Sequence, residues 1–277
     1  MGIWLGPIGK PTITNADITY SGDFIFTVDP TDSTKWELAI LSGSATDLVF
    51  LKNPGVVDIF MVAGGASGSE GGDGNGYIGP NPGGKGGNGG ECKTVSSVRL
   101  SPNTNYEVTI GSSNQNTSFI GGNLSYTAVT GLGSPGGAGG RASSDGYAYD
   151  ASAGSPGIFA FNETSSTIIT PGFINHRFGQ GGGGAGGILT FHPNYYQYFA
   201  DGKLGGKTNN ASNPSIDGSG GAGAKSSKVS GNSGAAGLAN HGQGGGGSAI
   251  WADGSNVSHW PSGGAGGSGI IFIRPHA

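Results

Sequence analysis

Hydrophobic residues along this chain occur in short runs rich in β-branched and aromatic residues, and turn-forming residues separate the runs. The runs lie at residues 12–28, 35–41, 47–51, 56–63, 93–130 and 269–275. Ser-Gly, Asp-Pro and Asn-Pro-Gly sequences interrupt them, as is typical of strands joined by tight turns. No segment maintains the 3.6-residue period of an amphipathic helix. The pattern therefore predicts an all-β fold with little or no α-helix.

Glycine-rich tracts lie between these runs, and several of them repeat as Gly-Gly-x. They span residues 82–90, 135–140, 179–187, 218–224, 242–247 and 262–269. A period of three matches an extended helix with three residues per turn and a rise of ~3.1 Å, so eight residues reach ~25 Å. Glycine at two of every three positions allows such helices to pack closely on two or more sides. The tracts are therefore predicted to form a packed bundle of polyglycine II helices whose backbone N–H and C=O groups pair between neighbours.

The composition favours a folded chain over a disordered one. Of 277 residues, 61 are glycine, but 34% are hydrophobic and only 11% are charged. Disordered chains usually combine low hydrophobicity with high charge. The net charge of −4 and the absence of a basic run argue against nucleic-acid binding. A single cysteine, Cys92, excludes an internal disulfide framework and is interpreted as a small buried apolar residue.

The chain is predicted to have an attachment segment at 1–11, an N-terminal β region at 12–63 and a glycine-rich domain at 64–277. No apolar run approaches the ~20 residues needed to span a bilayer, so no membrane insertion is expected. The N-terminus lacks the basic start of a signal peptide, which indicates synthesis in a bacterial cytoplasm without export. Ile3, Trp4 and Leu5 are predicted to dock on a partner protein with Trp4 as the anchor; burial in the chain's own β region is the alternative.

The order of strands and tracts resembles the glycine-rich proteins encoded in phage and prophage tail regions. The shared features begin with a strand that ends in glycine, "VVDIFMVAGG", and continue with the hairpin "LSPNTNYEVTIG". The element "NTSFIGG" follows, and "GSGIIFIRP" closes the chain after further glycine tracts. The resemblance covers roughly residues 55–275.

This resemblance implies both a fold and a function. Tail-tip adhesins of T-even-like phages hold a sandwich of packed polyglycine II helices, and the glycine-rich domain of anaplastic lymphoma kinase-type receptors combines such helices with strands. The resemblance thus implies a β-sandwich or jelly-roll-like frame around a glycine bundle. In the phage adhesins, loops between the helices bind the host surface, so the corresponding insertions at 143–178, 188–217 and 248–261 are expected to bind here.

Candidate binding residues in these insertions are aromatic residues and one histidine. They are Tyr147, Tyr149, Phe191, His192, Tyr195, Tyr196, Tyr198, Phe199, Trp251 and Trp260. Rigid aromatics among Ser, Asn and Gly supply contact area at low entropic cost. For a single aromatic of the insertions, Phe159, Phe161, Phe173 and Phe178 included, packing in a small core is an equal alternative. Residues 191–199 favour recognition, because they hold five aromatics and a histidine.

Sequence signals for an enzyme, a cofactor or a metal are weak, so none is expected. The five histidines are scattered without metal-ligand spacing, and no G-x-S-x-G sequence occurs. Residues 201–208 resemble a P-loop, but Asp201 replaces its first glycine. Asp145, Asp150 and Glu163 leave glycoside hydrolysis as an alternative.

The expected function is that of a phage virion structural protein, a receptor-binding adhesin of a tail fibre or tail tip. Its expected partners are a host surface glycan or envelope protein and other virion proteins, and a homotrimer is compatible with a fibre. The alternatives are a head fibre or decoration protein, a tail-associated glycan hydrolase, or a secreted bacterial matrix protein.

Overall fold

The computed structural model describes residues 12–70, 80–81, 84–138, 152, 154–165, 167–184, 188–189, 233–248, 251–252, 258–259 and 262–277. Over this part of the chain the secondary structure is β-strand, with two single-turn 3-10 helices at Asn15–Asp17 and Ala160–Asn162 and no α-helix. No helix in these described ranges has the length and apolar character required to cross a membrane.

The longer strands follow the hydrophobic runs of the sequence. The described residues form fourteen strands in all. They are β1 (Ile18–Thr19), β2 (Phe24–Asp29), β3 (Asp32–Ile40), β4 (Thr46–Phe50), β5 (Val56–Val62), β6 (Pro80–Asn81), β7 (Cys92–Arg99), β8 (Tyr106–Thr109), β9 (Thr117–Gly121), β10 (Leu124–Ala128), β11 (Ile188–Leu189), β12 (Trp251–Ala252), β13 (Ser258–His259) and β14 (Ile270–Pro275). The all-β prediction is therefore confirmed for the described residues.

Two antiparallel five-stranded sheets form the frame of the protein. The first sheet has the order β1-β4-β8-β9-β10, and the second has the order β2-β3-β14-β5-β7. Two short ladders, β6 with β11 and β12 with β13, complete the pairings. Strand β14, from the end of the chain, lies between β3 and β5. Strands from the predicted N-terminal β region and the predicted glycine-rich domain thus share one sheet, and the domain boundaries themselves stay a prediction.

The two sheets bury one hydrophobic core between them, an arrangement consistent with a β-sandwich. Its large, fully buried members include Trp36, Phe50, Tyr106 and Phe119. Alternate residues of β5 explain the packing: Val57, Ile59 and Met61 face this core, while Phe60 and Val62 face the other side of the second sheet. Period-two alternation places successive side chains on opposite faces, so β5 is buried on both.

A second core covers the outer face of the second sheet. It is formed by Ala39, Phe60, Val62, Ala160, Phe161, Ile168, Phe173, Phe178, Ile270 and Phe272. Two ring pairs, Phe60 with Phe178 and Phe173 with Phe272, pack edge to face with centroids 5.5 Å apart, and Phe173 stacks on Phe178. The irregular segments 158–165 and 167–178 are therefore a packed third layer, because the buried apolar side chains that they contribute cover the sheet.

Polar contacts hold this third layer in place. Buried Glu37 accepts hydrogen bonds from the backbone N–H of Thr170, at 3.0 Å, and from the Thr170 hydroxyl. Burial raises the pKa of the Glu37 carboxyl above its ordinary value. Arg274 of β14 donates from Nη2 to Glu163 at 2.6 Å and from Nη1 to Thr167 at 2.7 Å. Its guanidinium also lies 3.7 Å from the centre of the Phe161 ring.

Candidate functional site

Glycine-rich segments pack side by side at one end of the two sheets. This glycine array comprises residues 63–69, 84–90, 133–138, 154–157, 179–184, 233–238, 242–248 and 262–269, together with Ser152. The first two segments run antiparallel and pair once every three residues: the N–H groups of Ala63, Ala66 and Ser69 donate to the carbonyls of Glu91, Asn88 and Lys85. The spacing of three between bonds is the period that the sequence predicts.

Segment 242–248 lies at the centre of the array, and all of its residues are buried. The N–H groups of Gly244 and Gly247 donate to segment 179–184, and those of Gly245 and Ser248 donate to segment 63–69. On another side its carbonyls accept from segment 84–90, where Gly84, Gly87 and Gly90 donate to Ser248, Gly245 and Gly242. Segments 233–238 and 262–269 also bond to it. Hydrogen bonds thus reach the central segment from five neighbours.

Close approach between backbones explains why glycine fills these segments. A Cβ atom built at Gly245 would lie 1.9 Å from the carbonyl oxygen of Gly264, and one at Gly244 would lie 1.9 Å from that of Gly87. Backbone atoms cannot rotate away as a side chain can, so only glycine fits there. Ala265 shows the converse, because its side chain is exposed between Gly264 and Gly266, at both of which a Cβ would meet a carbonyl.

The array has two distinct ends, which the hydrogen-bond registers define. At the end next to the sheets, Ala63 follows β5, Glu91 precedes β7 and Gly269 precedes β14. We name this the sheet end. At the opposite end, Ser69, Gly84 and Ser248 are bonded to one another: Gly84 N–H donates to Ser248, and Ser248 N–H donates to Ser69. We name this the distal end.

Four stretches of chain between the segments of the array are flanked on both sides by residues of the distal end. They are 71–83, 139–153, 185–232 and 249–261, within which short strands and Ser152 are described. Ser152 N–H donates to Ala138, and Gly184 N–H donates to Ser152. Gly246 N–H donates to Ala235, and Gly68 N–H donates to Gly264. The same end of the array therefore holds the start and finish of all four stretches.

The predicted binding residues fall within these stretches. Trp251 lies in β12, where its backbone is in register with His259 of β13. Tyr147, Tyr149, Phe191, His192, Tyr195, Tyr196, Tyr198, Phe199 and Trp260 lie outside the described residues. Ile3, Trp4 and Leu5, predicted to contact a partner, also lie outside them. The structure thus locates the residues on either side of the predicted binding segments at the distal end of the array.

Other aromatics of the insertion at 143–178 are structural. Phe161, Phe173 and Phe178 are buried in the second core, so the packing alternative holds for them. Phe159 is half-buried, and the guanidinium of Arg177 lies 4.4 Å from the centre of its ring. Glu163, a candidate carboxylate for glycoside hydrolysis, forms an ion pair with Arg274 at 2.6 Å, and Asp145 and Asp150 lie outside the described residues.

Two histidines, His241 buried and His176 half-buried, form a pair where the third layer meets the array. Nδ1 of His176 and Nε2 of His241 are 2.7 Å apart, and Nδ1 of His241 is 2.7 Å from the carbonyl oxygen of Ala239. Since a carbonyl only accepts, His241 carries its proton on Nδ1, and its Nε2 accepts from His176. The rings of Phe173 and Phe178 lie beside His241, and burial lowers the pKa of His241 to about 4. Sequence reasoning treats these histidines as scattered loop residues and misses the pair.

A serine, a histidine and an aspartate are joined by hydrogen bonds on the second sheet, where strands β7, β5 and β14 are neighbours. Oγ of Ser97 in β7 is 3.0 Å from Nε2 of His276, and Nδ1 of His276 is 2.8 Å from Oδ1 of Asp58 in β5. The same Asp58 oxygen accepts a hydrogen bond from the Ser97 backbone N–H at 3.0 Å. Asp58 is buried, Ser97 is exposed and His276 is partly exposed. No local sequence motif predicts this group, because its members are far apart in sequence.

Within the described ranges, no three or more His, Cys, Asp or Glu side chains form a group that could hold a metal ion. Cys92 packs against the second core, and burial raises the pKa of its thiol. Comparison of the sequence with protein-family models and with curated proteins finds no match.

Proposed function

We propose that this chain is a phage virion protein that acts as a receptor-binding adhesin of a tail fibre or tail tip. In this proposal it recognises a host cell-surface molecule, a glycan or an envelope protein, through the chain stretches that leave the distal end of the glycine array. The observation that carries the proposal is the common origin of those stretches, which contain all ten candidate binding residues.

A rigid base is needed for such recognition, and we propose that the array supplies it as a bundle of polyglycine II helices. Three observations support this assignment: the three-residue spacing of bonds between segments, the presence of neighbours on several sides, and glycine at the close contacts. With a rise of ~3.1 Å, the six steps from Ala63 to Ser69 span ~19 Å. Binding segments held on a rigid support lose less conformational entropy when they bind.

The other end of the molecule suits attachment to the rest of the virion. Residues 12–17 lie at the end of the first sheet away from the array, because the Asp17 carbonyl accepts a hydrogen bond from Leu51, just after β4. At the other end of the same sheet, the carbonyl of Gly111 accepts a hydrogen bond from Gly269 of the array. The described chain thus begins at the pole opposite the distal end. An attachment role for residues 1–11, with Trp4 as the anchor, is compatible with that polarity and belongs to the proposal.

Cell binding by the purified, fluorescently labelled protein tests this function. Flow cytometry on a panel of bacterial strains is expected to identify cells that bind the protein and that it protects from infection. The double substitution Tyr195→Ser with Tyr196→Ser is expected to weaken binding at least tenfold. Lys35→Ala, an exposed change on β3 near the opposite pole, is the matched control and should bind normally. Unchanged binding by the double variant, or binding to no strain, would contradict the proposal.

A further inference from the structure

The Ser97, His276 and Asp58 group has the geometry of a charge-assisted nucleophile. The two hydrogen bonds, 3.0 Å from Ser97 Oγ to His276 Nε2 and 2.8 Å from His276 Nδ1 to Asp58 Oδ1, form a continuous relay. Such a relay is recognised by the roles of its members and recurs on unrelated folds in different chain orders. Here the order along the chain is Asp, Ser, His, and the three residues come from β5, β7 and the residue after β14.

Asp58 determines which nitrogen of His276 carries the proton. An ionised carboxylate only accepts hydrogen bonds, so Nδ1 of His276 must be the protonated nitrogen of the neutral ring. Nε2 is then left with a lone pair that faces the Ser97 hydroxyl. Because Asp58 is buried and also receives the Ser97 N–H, its carboxylate is fixed relative to both partners. The serine hydroxyl therefore points its proton at a base that is already oriented.

The backbone at Ser97 is unusual in the same place. Its φ is +59°, in the left-handed region that residues other than glycine and asparagine rarely adopt. The pairing of β5 with β7 shifts register between Val57 and Ile59, so Ser97 lies in a bulge. Bulges and positive φ angles are concentrated where a strand must aim a side chain. The bulge turns the Ser97 hydroxyl toward His276.

We propose that Ser97 is an activated nucleophile that accepts acyl groups from esters of small carboxylic acids, with His276 as general base and Asp58 as its positioning residue. The Ser97 Oγ–H proton moves to His276 Nε2 as the Oγ–C bond forms. The bond from carbon to the leaving oxygen then breaks, and the alcohol takes the proton from Nε2. Water attacks the acyl-serine with the same base, which releases the acid and restores the hydroxyl.

The position of the group sets the substrate class. Ser97 is exposed and His276 is partly exposed, so an ester presented on another molecule can reach them from solvent. Small acyl groups need no deep pocket, unlike long acyl chains. This activity is independent of the adhesin proposal, because the group lies on the second sheet and shares no residue with the distal end.

An active-site serine probe tests the proposal directly. A fluorophosphonate reacts when Ser97 Oγ bonds to phosphorus and fluoride leaves, and mass spectrometry locates the adduct. Ser97→Gly removes the hydroxyl, and glycine accepts a φ of +59°, so this variant should remain folded. Ser96→Ala, an exposed neighbouring serine, is the matched control. His276→Gln removes the base and leaves Ser97 in place.

The expected result is a single adduct on Ser97 in the native protein and in Ser96→Ala, with none in Ser97→Gly. Labelling of His276→Gln should be at least about 100-fold slower, the usual contribution of a general base. Hydrolysis of p-nitrophenyl acetate should follow the same order. An absent adduct, an adduct on another serine, or a labelling rate that His276→Gln leaves unchanged would overturn the proposal. The hydrogen bonds would then serve only to hold residues 275–277 against the bulge.

Discussion

Nδ1 of His176 donates a hydrogen bond to Nε2 of His241 across 2.7 Å, although the two residues lie 65 positions apart. The bond joins the third layer of the β-frame to the turn that leads into the central segment of the glycine array. In this direction the bond requires a neutral His241, because protonated Nε2 is a donor and could bond His176 only after the His176 proton had moved from Nδ1 to Nε2. The junction of layer and array is therefore sensitive to acid.

The first prediction concerns this sensitivity. Burial, with a smaller contribution from His176, lowers the pKa of His241 to about 4 from an ordinary 6.5. The unfolded chain then takes up the proton first, so the free energy of unfolding falls as pH drops from about 6.5 to about 4. Between pH 7 and pH 4.5 the loss from this group should be about 2 kcal/mol, at ~1.4 kcal/mol per unit of pH.

Urea denaturation of the native protein and of His241→Gln, at pH 7 and pH 4.5, measures this loss. The variant lacks the titrating group, so its stability should change less over the same interval. Contributions from Glu37 and the aspartates are common to both proteins and cancel in the comparison. Equal pH dependence of the two proteins would show that His241 does not control acid stability.

The second prediction concerns the fit of the glycine array. A Cβ at Gly266 would lie 1.9 Å from the carbonyl oxygen of Gly65, whereas the side chain of adjacent Ala265 is exposed. Gly266→Ala should therefore lower the free energy of unfolding by at least ~3 kcal/mol, at the upper end for an overpacked interior. Ala265→Ser should change it by less than ~0.5 kcal/mol. Thermal or urea unfolding of both variants checks this, and equal effects would count against close packing of the glycines on either side of an exposed third position.

The third prediction concerns the backbone hydrogen bonds of the array. Gly87 N–H donates to Gly245 at 2.8 Å, and Gly245 N–H donates to Ala66 at 2.9 Å. Amide hydrogen exchange over residues 84–90 and 242–248 should be slower than in the unfolded chain by several orders of magnitude. Mass spectrometry of peptides from these segments, with urea-unfolded protein as the reference, measures it. Exchange at the unfolded rate would mean that the segments are linkers, and the rigid base of the adhesin proposal would be lost.

The fourth prediction concerns the attachment of the third layer. Arg274 bonds Glu163 and Thr167 with separate nitrogens and covers the Phe161 ring. Lysine retains the charge but cannot form this fork, so Arg274→Lys should cost about 1–2 kcal/mol. Faster hydrogen exchange at residues 160–170 should accompany the loss. Arg99→Lys, an exposed change in the same sheet, is the control and should alter neither quantity.

Local patterns in the sequence were sufficient to predict the strands but not their neighbours. The apolar run at 269–275 predicts a strand, and β14 forms there, yet nothing in the run indicates that it lies between β3 and β5. Pairing between distant strands depends on the whole topology, which no short window contains. The three-residue period of the glycine tracts, by contrast, is visible locally and is the spacing seen in the bonds of the array.

Side-chain clusters were less predictable for the same reason. Phe161, Phe173 and Phe178 are as compatible with a binding loop as with a core until the face of the second sheet that they cover is known. The spacing of His176 and His241, or of Ser97 and His276, does not indicate a contact in the sequence, since the fold brings them together across 65 and 179 positions. The position of the distal end, whose residues flank the candidate binding stretches, likewise became known only from the pairs of hydrogen-bonded residues in the array and could not be predicted from composition.

The shared origin of those stretches has an evolutionary consequence. Each leaves and rejoins the array at residues that are bonded within the array, chiefly through backbone atoms. The hydroxyls of Ser69 and Ser152 add two bonds, because they accept from the N–H groups of Lys85 and Ala138. A stretch that keeps these serines can therefore lengthen, shorten or recombine without altering a contact of the support. Under the adhesin proposal, lineages facing a changing host would diversify between Gly64 and Gly269 while the glycines stay fixed. A chimera that exchanges one stretch between two such lineages should then acquire a new host range with an unaltered melting temperature.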